Sequence, residues 1–189
     1  MSLTYICGLM NSGKTARLIV DVMGHLGFYG QSKVDIIQPE ICTNRITFQP
    51  LNKTIKSRVG LSMEPTLTID KDFDFLEYQF RADYLFIDEV NFLTVQQVEQ
   101  LKKLSKTKVI RVYGLKNDYR SNLFPSSKRC LELADSIIQL DPPRCKNCTK
   151  KADVDHIDDC GVDDIIFING EYISLCWDCW CERRTPPSL

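Results

Sequence analysis

Residues 8–15, Gly-Leu-Met-Asn-Ser-Gly-Lys-Thr, constrain this chain more tightly than anything else in it. They fit the pattern G-x-x-x-x-G-K-T, with an apolar run at 2–7 before them and a one-faced helical pattern after them. The spacing predicts a strand, an anion-binding loop and a helix, in that order. Glycines let the backbone wrap so that N–H groups converge on phosphate oxygens, and the helix start adds its positive end. Gly8, Leu9, Met10, Asn11, Ser12, Gly13, Lys14 and Thr15 are therefore the candidate nucleotide-binding residues. Lys14 is placed for the outer phosphates of ATP, and Thr15 Oγ for Mg²⁺.

A loop of this kind needs a carboxylate at the end of a neighbouring strand. The run at 84–88 ends in Asp88, the candidate second magnesium residue, and Glu89 follows it. A carboxylate in that position activates either a water or a substrate hydroxyl, so an ATPase and a kinase both fit. Asn52-Lys53 comes too early for a guanine signature and lacks its aspartate, which disfavours a GTPase.

The remaining pattern is α/β. Strands are expected at 34–38, 66–69, 108–114 and 136–140. Helices are expected at 14–26, after a Thr94 cap, and at 126–135. Gly24, Gly27 and Gly30 read as the end of the first helix, and Pro39 as the stop of the second strand. Asp70 or Asp72 reads as the cap of a further short helix. Val95, Val98, Leu101 and Leu104 read as one buried face, and 40–65 as loops and short pieces near a site. The expected architecture is a P-loop NTPase-type, mostly parallel sheet flanked by helices over 1–142. A small zinc-ribbon-like domain is expected over 143–189.

That second unit rests on cysteines. Of nine in the chain, six follow residue 140, and two pairs have CxxC spacing: Cys145 with Cys148, and Cys176 with Cys179. Four thiolates so arranged suit a structural Zn²⁺. A redox role is disfavoured because Cys176-Trp-Asp-Cys179 is not expected to open a helix after a strand. Cys160, Cys181 and His156 are spare ligands, with His156 read as part of a solvated loop beside Asp153, Asp155, Asp158 and Asp159. The apolar stretch 163–175, with Asn169-Gly170 as its turn, reads as a hairpin or lid whose backbone meets a ligand.

Charge narrows the partners. With 24 basic and 25 acidic residues the net charge is -1, which suits neither a duplex-coating protein nor a polybasic membrane binder. No apolar run reaches membrane-spanning length and the N-terminal residues lack a basic signal segment. A protein of the cytoplasm, with no nucleic-acid or membrane partner, is expected.

Several blocks together resemble the type II thymidine kinases, P-loop deoxynucleoside kinases with a C-terminal zinc domain. They are the loop 8–15 with its Met10, Leu-Phe-Ile-Asp-Glu-Val-Asn-Phe at 85–92, Ser-Arg-Val-Gly-Leu-Ser at 57–62, and 113–124. Tyr172 and the four knuckle cysteines complete the set. The resemblance implies an ATP:thymidine 5′-phosphotransferase that makes dTMP in nucleotide salvage. It implies Glu89 as general base, Lys14 as phosphate ligand, and Thr15 and Asp88 as magnesium positions. Met10, Phe92, Leu115, Tyr119 and Phe124 correspond to the thymine and deoxyribose pocket, and Arg45 to a further substrate contact. Tyr172 and the amides of Ile165, Ile166, Phe167 and Ile168 correspond to a lasso loop around thymine. A homotetramer and feedback inhibition by dTTP are also implied. The sequence departs from the family at Thr43, Asn91 and Tyr119. The other readings are a P-loop ATPase and a non-catalytic nucleotide-binding regulator.

Overall fold

The computed structural model describes residues 1–40, 54–157 and 172–184. The chain runs β1 (Ser2–Cys7), α1 (Lys14–Tyr29), β2 (Val34–Pro39), β3 (Ile55–Lys56), β4 (Ser62–Met63), β5 (Leu67–Ile69) and β6 (Tyr84–Ile87). It continues through α2 (Val95–Leu104), β7 (Val109–Gly114), α3 (Pro125–Leu133), β8 (Ser136–Gln139), β9 (Val154–His156), β10 (Ile173–Leu175) and α4 (Trp177–Arg184).

Six strands form one parallel sheet in the order β5-β2-β6-β7-β1-β8. Strand residues alternate between its two faces, so each strand feeds two cores. Leu3, Tyr5, Leu85, Ile87 and Val112 meet Val98, Leu101 and Cys130 of α2 and α3 on one side. Ile6, Ile36, Phe86 and Tyr113 meet Leu18, Ile19 and Val22 of α1 on the other. The expected α/β class is what the chain adopts. Helix α1 leaves β1 and returns to β2, with β6 and β7 lying between those strands. This crossing opens a crevice at the carboxyl ends of the central strands, where ligands of such sheets bind.

Several expectations need correction. Helix α1 runs through Gly24 and Gly27 to Tyr29 and is stopped by Gly30 at φ 80°. Glycine costs a helix only about 1 kcal/mol, and Tyr29 stacking on Tyr84 at 4.7 Å holds the last turn. Strand β2 keeps its pairing through Pro39, opposite Ile69. Asp70 caps no helix. Its carboxylate accepts from Asp72 N–H, and the segment stays in turns because α2 reaches out to hold it. Gln97 donates to the carbonyls of Asp70 and Phe73, and Gln100 accepts from Phe75 N–H. The buried face of α2 therefore includes two glutamines, while Val95 is exposed. Thr94 does cap that helix, in a reciprocal box with Gln97. Among the described residues no helix is long and apolar enough to cross a membrane.

The C-terminal elements form their own small cluster of Cys145, Val154, Leu175, Cys176 and Trp180 around the antiparallel β9–β10 pair. The turn at 169–170 lies outside the described residues.

Candidate active site

The phosphate loop closes at the end of β1. Asn11 (φ 64°) and Gly13 (φ 83°) are both left-handed, which turns successive N–H groups toward the concave side. A β-carbon on Gly8 would overlap the Ser12 side chain, so that position has no room for one. Lys14 is buried and donates from Nζ to the Leu9 carbonyl at 2.7 Å. Burial lowers the proton affinity of its amine. The charges of Glu89, Asp155 and Asp88 act in the opposite direction.

Asp88 and Glu89 follow β6 at the same edge of the sheet. The Asp88 carboxylate is only 4 % exposed and accepts the Glu89 N–H at 3.0 Å. Burial, and then the charge of Glu89, push it up to about 7; Glu89 N–H, Lys14 and the Thr15 hydroxyl oppose that rise. A buried carboxylate crowded by a second one, with a threonine hydroxyl on it, fits a divalent cation held between Thr15 and Asp88. Glu89 itself adopts a left-handed backbone (φ 48°, ψ 47°), a conformation that costs a non-glycine residue about 1–2 kcal/mol. Strain of this kind at the carboxyl end of a central strand is a feature of residues whose direction matters.

The proposed pocket residues come from neighbouring segments. Leu115 follows β7 and is fixed through its backbone: its carbonyl accepts from Tyr5 and Ser127, and its N–H donates to Asn91. Tyr119 and Phe124, both buried, lie in the loop that begins there, which closes with Phe124 N–H on the Lys116 carbonyl. Phe92 ends the turn after Glu89, Met10 lies in the phosphate loop, and Tyr172 sits just before β10. Arg45, Ile165, Ile166, Phe167 and Ile168 lie outside the described residues.

The four knuckle cysteines converge, with every pair of Sγ atoms within 4.8 Å, and Cys148 and Cys176 at 3.6 Å. Tetrahedral Zn–S bonds of about 2.3 Å require sulfurs about 3.8 Å apart, so the donor set fits Zn²⁺. Burial opposes ionisation of Cys145, yet N–H groups of Cys176, Asn147 and Cys148 prevail and bring its thiol down to about 6. One expectation fails here. Helix α4 does begin directly after β10 and Cys176, so the second pair does open a helix after a strand. Convergence of the other knuckle is what favours metal over redox chemistry. Cys181 packs against the cluster without joining the four, and Cys160 lies outside the described residues.

A family model described as thymidine kinase matches residues 1–180. The chain belongs to the thymidine kinase family. A thymidine kinase of Encephalitozoon cuniculi is 30 % identical, covering 97 % of this chain and 89 % of its own length. One from Enterobacteria phage T4 is 32 % identical over 80 % of this chain and 77 % of its own. One from Streptococcus pyogenes is 33 % identical over 79 % and 78 %.

Within this thymidine kinase family member the departures have structural answers. Asn91 reaches Leu115 N–H through Oδ1 despite its shorter side chain, and its buried Nδ2 has no partner among the described residues. The extra hydroxyl of Tyr119 accepts from Arg120 Nε at 2.9 Å. Thr43 lies outside the described residues. The acidic segment is different from its sequence reading. Asp155 and His156 belong to β9, and Asp155 is buried, because its carboxylate accepts from Met10 N–H and Ser174 Oγ. Asp153 also has a task, accepting the Trp177 N–H at the start of α4. A strand-period pattern at Val154-Asp155-His156 was too short to separate from loop, and no local signal reveals a partner in the phosphate loop.

Proposed function

We propose that the chain transfers the γ-phosphoryl group of ATP to the 5′-hydroxyl of thymidine, with Glu89 as general base. Family membership supports thymidine phosphorylation, a transferase reaction of nucleotide salvage. The observation that carries the residue-level reading is the gathering of Lys14, Thr15, Asp88 and a backbone-strained Glu89 at the carboxyl ends of the central strands.

Glu89 takes the 5′-hydroxyl proton as the new O–P bond forms. The bond from the γ-phosphorus to the bridging oxygen breaks, and ADP leaves with that electron pair. Lys14 and the loop N–H groups meet the charge on the equatorial oxygens. Thr15 and Asp88 would hold Mg²⁺, which would supply neutralisation of phosphate charge. Cys145, Cys148, Cys176 and Cys179 would hold Zn²⁺, which braces the 143–189 unit. Met10, Phe92, Leu115, Tyr119 and Phe124 are the proposed nucleoside-pocket residues, and the resemblance adds Arg45, Ile165, Ile166, Phe167, Ile168 and Tyr172 as substrate contacts. dTTP carries both the thymidine and the triphosphate that such a site reads, which suits it as feedback inhibitor.

A cytoplasmic homotetramer is the accompanying assembly. Val20, Met23, Phe28 and Tyr29 expose apolar surface along α1, with Phe28 at 88 %. The edge strand β8 exposes Ile137 and Ile138 at one end of the strand order. Exposed apolar side chains on α1 and on an edge strand suit the interfaces of such an assembly.

The deciding experiment is ATP consumption with Mg²⁺ and a panel of nucleosides or none. Turnover with thymidine, weaker with deoxyuridine and negligible in the blank, is expected. Equal turnover in every well would make the protein an ATPase, and silence with ATP bound would make it a regulator.

A further inference from the structure

The geometry points to Asp155 as a positioning residue that pins the phosphate loop from outside, through the backbone N–H of Met10. The contact spans 145 residues of sequence and is 2.7 Å long. Both carboxylate oxygens are engaged, because Oδ1 accepts the Ser174 hydroxyl at 2.9 Å in a buried setting. Ser174 is the direct cross-strand partner of Asp155 in the β9–β10 pair. That pair is tied to the first knuckle by Lys146 N–H on the Ser174 carbonyl and runs directly into Cys176. Cysteine cluster, hairpin and phosphate loop thus form one continuous set of contacts.

A carboxylate is an unfavourable neighbour for a polyphosphate, so anion binding does not account for it. Its use is as an acceptor. It withdraws the Met10 N–H from the loop's free donors and holds that residue's backbone at one setting. Burial raises the proton affinity of Asp155, and the two hydrogen bonds together with the charges of Lys14 and Arg58 offset that. Because Met10 is shared by the phosphate loop and the proposed nucleoside pocket, one contact governs the fit of both substrates. The nucleoside half of this inference rests on the function proposed above; the ATP half does not.

The test compares Asp155→Ala, Asp155→Asn and Ser174→Ala in zinc-loaded full-length protein. ATP affinity is measured by calorimetry with Mg²⁺ and no nucleoside, followed by KM for both substrates. Asp155→Ala should weaken ATP about tenfold, the scale of one charge-assisted hydrogen bond, and raise the thymidine KM similarly. Asp155→Asn keeps an acceptor for Met10 and should return both values to within about threefold of the parent. Ser174→Ala leaves the carboxylate in place and should fall between, which decides the matter should Asp155→Ala not fold. ATP affinity within twofold of the parent in both alanine variants would overturn the role, as would an Asp155→Asn protein as weak as Asp155→Ala. A parent protein that binds ATP but phosphorylates no thymidine would instead overturn the proposed function, leaving the ATP comparison intact.

Discussion

The carboxamide oxygen of Asn91 accepts the Leu115 N–H at 2.9 Å, joining the segment after β6 to the segment after β7. The same oxygen lies 2.6 Å from where a β-carbon on Gly114 would stand, and Val90 Cγ1 lies 2.8 Å from it. The close approach of these two strand ends, which carry the proposed base and a pocket residue, therefore depends on a glycine at 114. Gly114→Ala should destabilise the fold by about 1–3 kcal/mol through overpacking. Urea denaturation checks this, and an unchanged midpoint would refute the crowding.

Removing the Asn91 side chain leaves the Leu115 N–H without its acceptor. Asn91→Ala should cost about 1–3 kcal/mol of stability. It should also raise the thymidine KM more than the ATP KM, since Leu115 is proposed for the nucleoside pocket. Equal effects on both substrates would move Leu115 out of that pocket.

Glu89→Gln preserves shape and removes the proposed base. Turnover should fall by about 10²–10⁴-fold with ATP binding retained. A variant of near-parental activity would show that another group accepts the 5′-hydroxyl proton.

Metal content should be about one zinc per chain for a four-thiolate site. Chelation, or Cys176→Ser, should lower the unfolding temperature and loosen the C-terminal cluster before the sheet, since the four sulfurs lie within that cluster. Hydrogen exchange resolves the two regions. Uniform loosening of the sheet and the cluster would contradict a local clip.

Asp135 supplies a pH signature. Its carboxylate accepts the Leu3 N–H at 2.8 Å and pairs with Lys102, and these hold it below the usual carboxylate range. Its folded pKa is depressed, so the stabilisation is fully present above the unfolded value of about 4 and is lost as pH falls through the folded value. Asp135→Asn should be less stable than the parent at pH 7, with the gap closing in acid. A gap constant with pH would assign the effect to shape alone.

Phe28→Glu should lower the molecular mass seen in sedimentation if α1 is an assembly face. An unchanged mass would exclude that helix from the interface.

The strand, loop and helix at 2–29, the carboxylates that follow β6 and the cysteine cluster were legible because such patterns need fixed spacing over a few residues. The near-continuous apolar runs at 2–7, 84–88 and 108–114, alternating with one-faced helices, likewise carried the parallel sheet, since burial on both faces demands such strands. What depends on partners far along the chain was not legible. Helix α1 outlasts its glycines because Tyr29 finds Tyr84, and Gln97 and Gln100 are buried because a turn 24–27 residues away needs their amides. Asp155 looks in sequence like one of several solvated acids. Tertiary packing buries it against Met10, and that choice belongs to the fold because neither residue carries a local signal of the other.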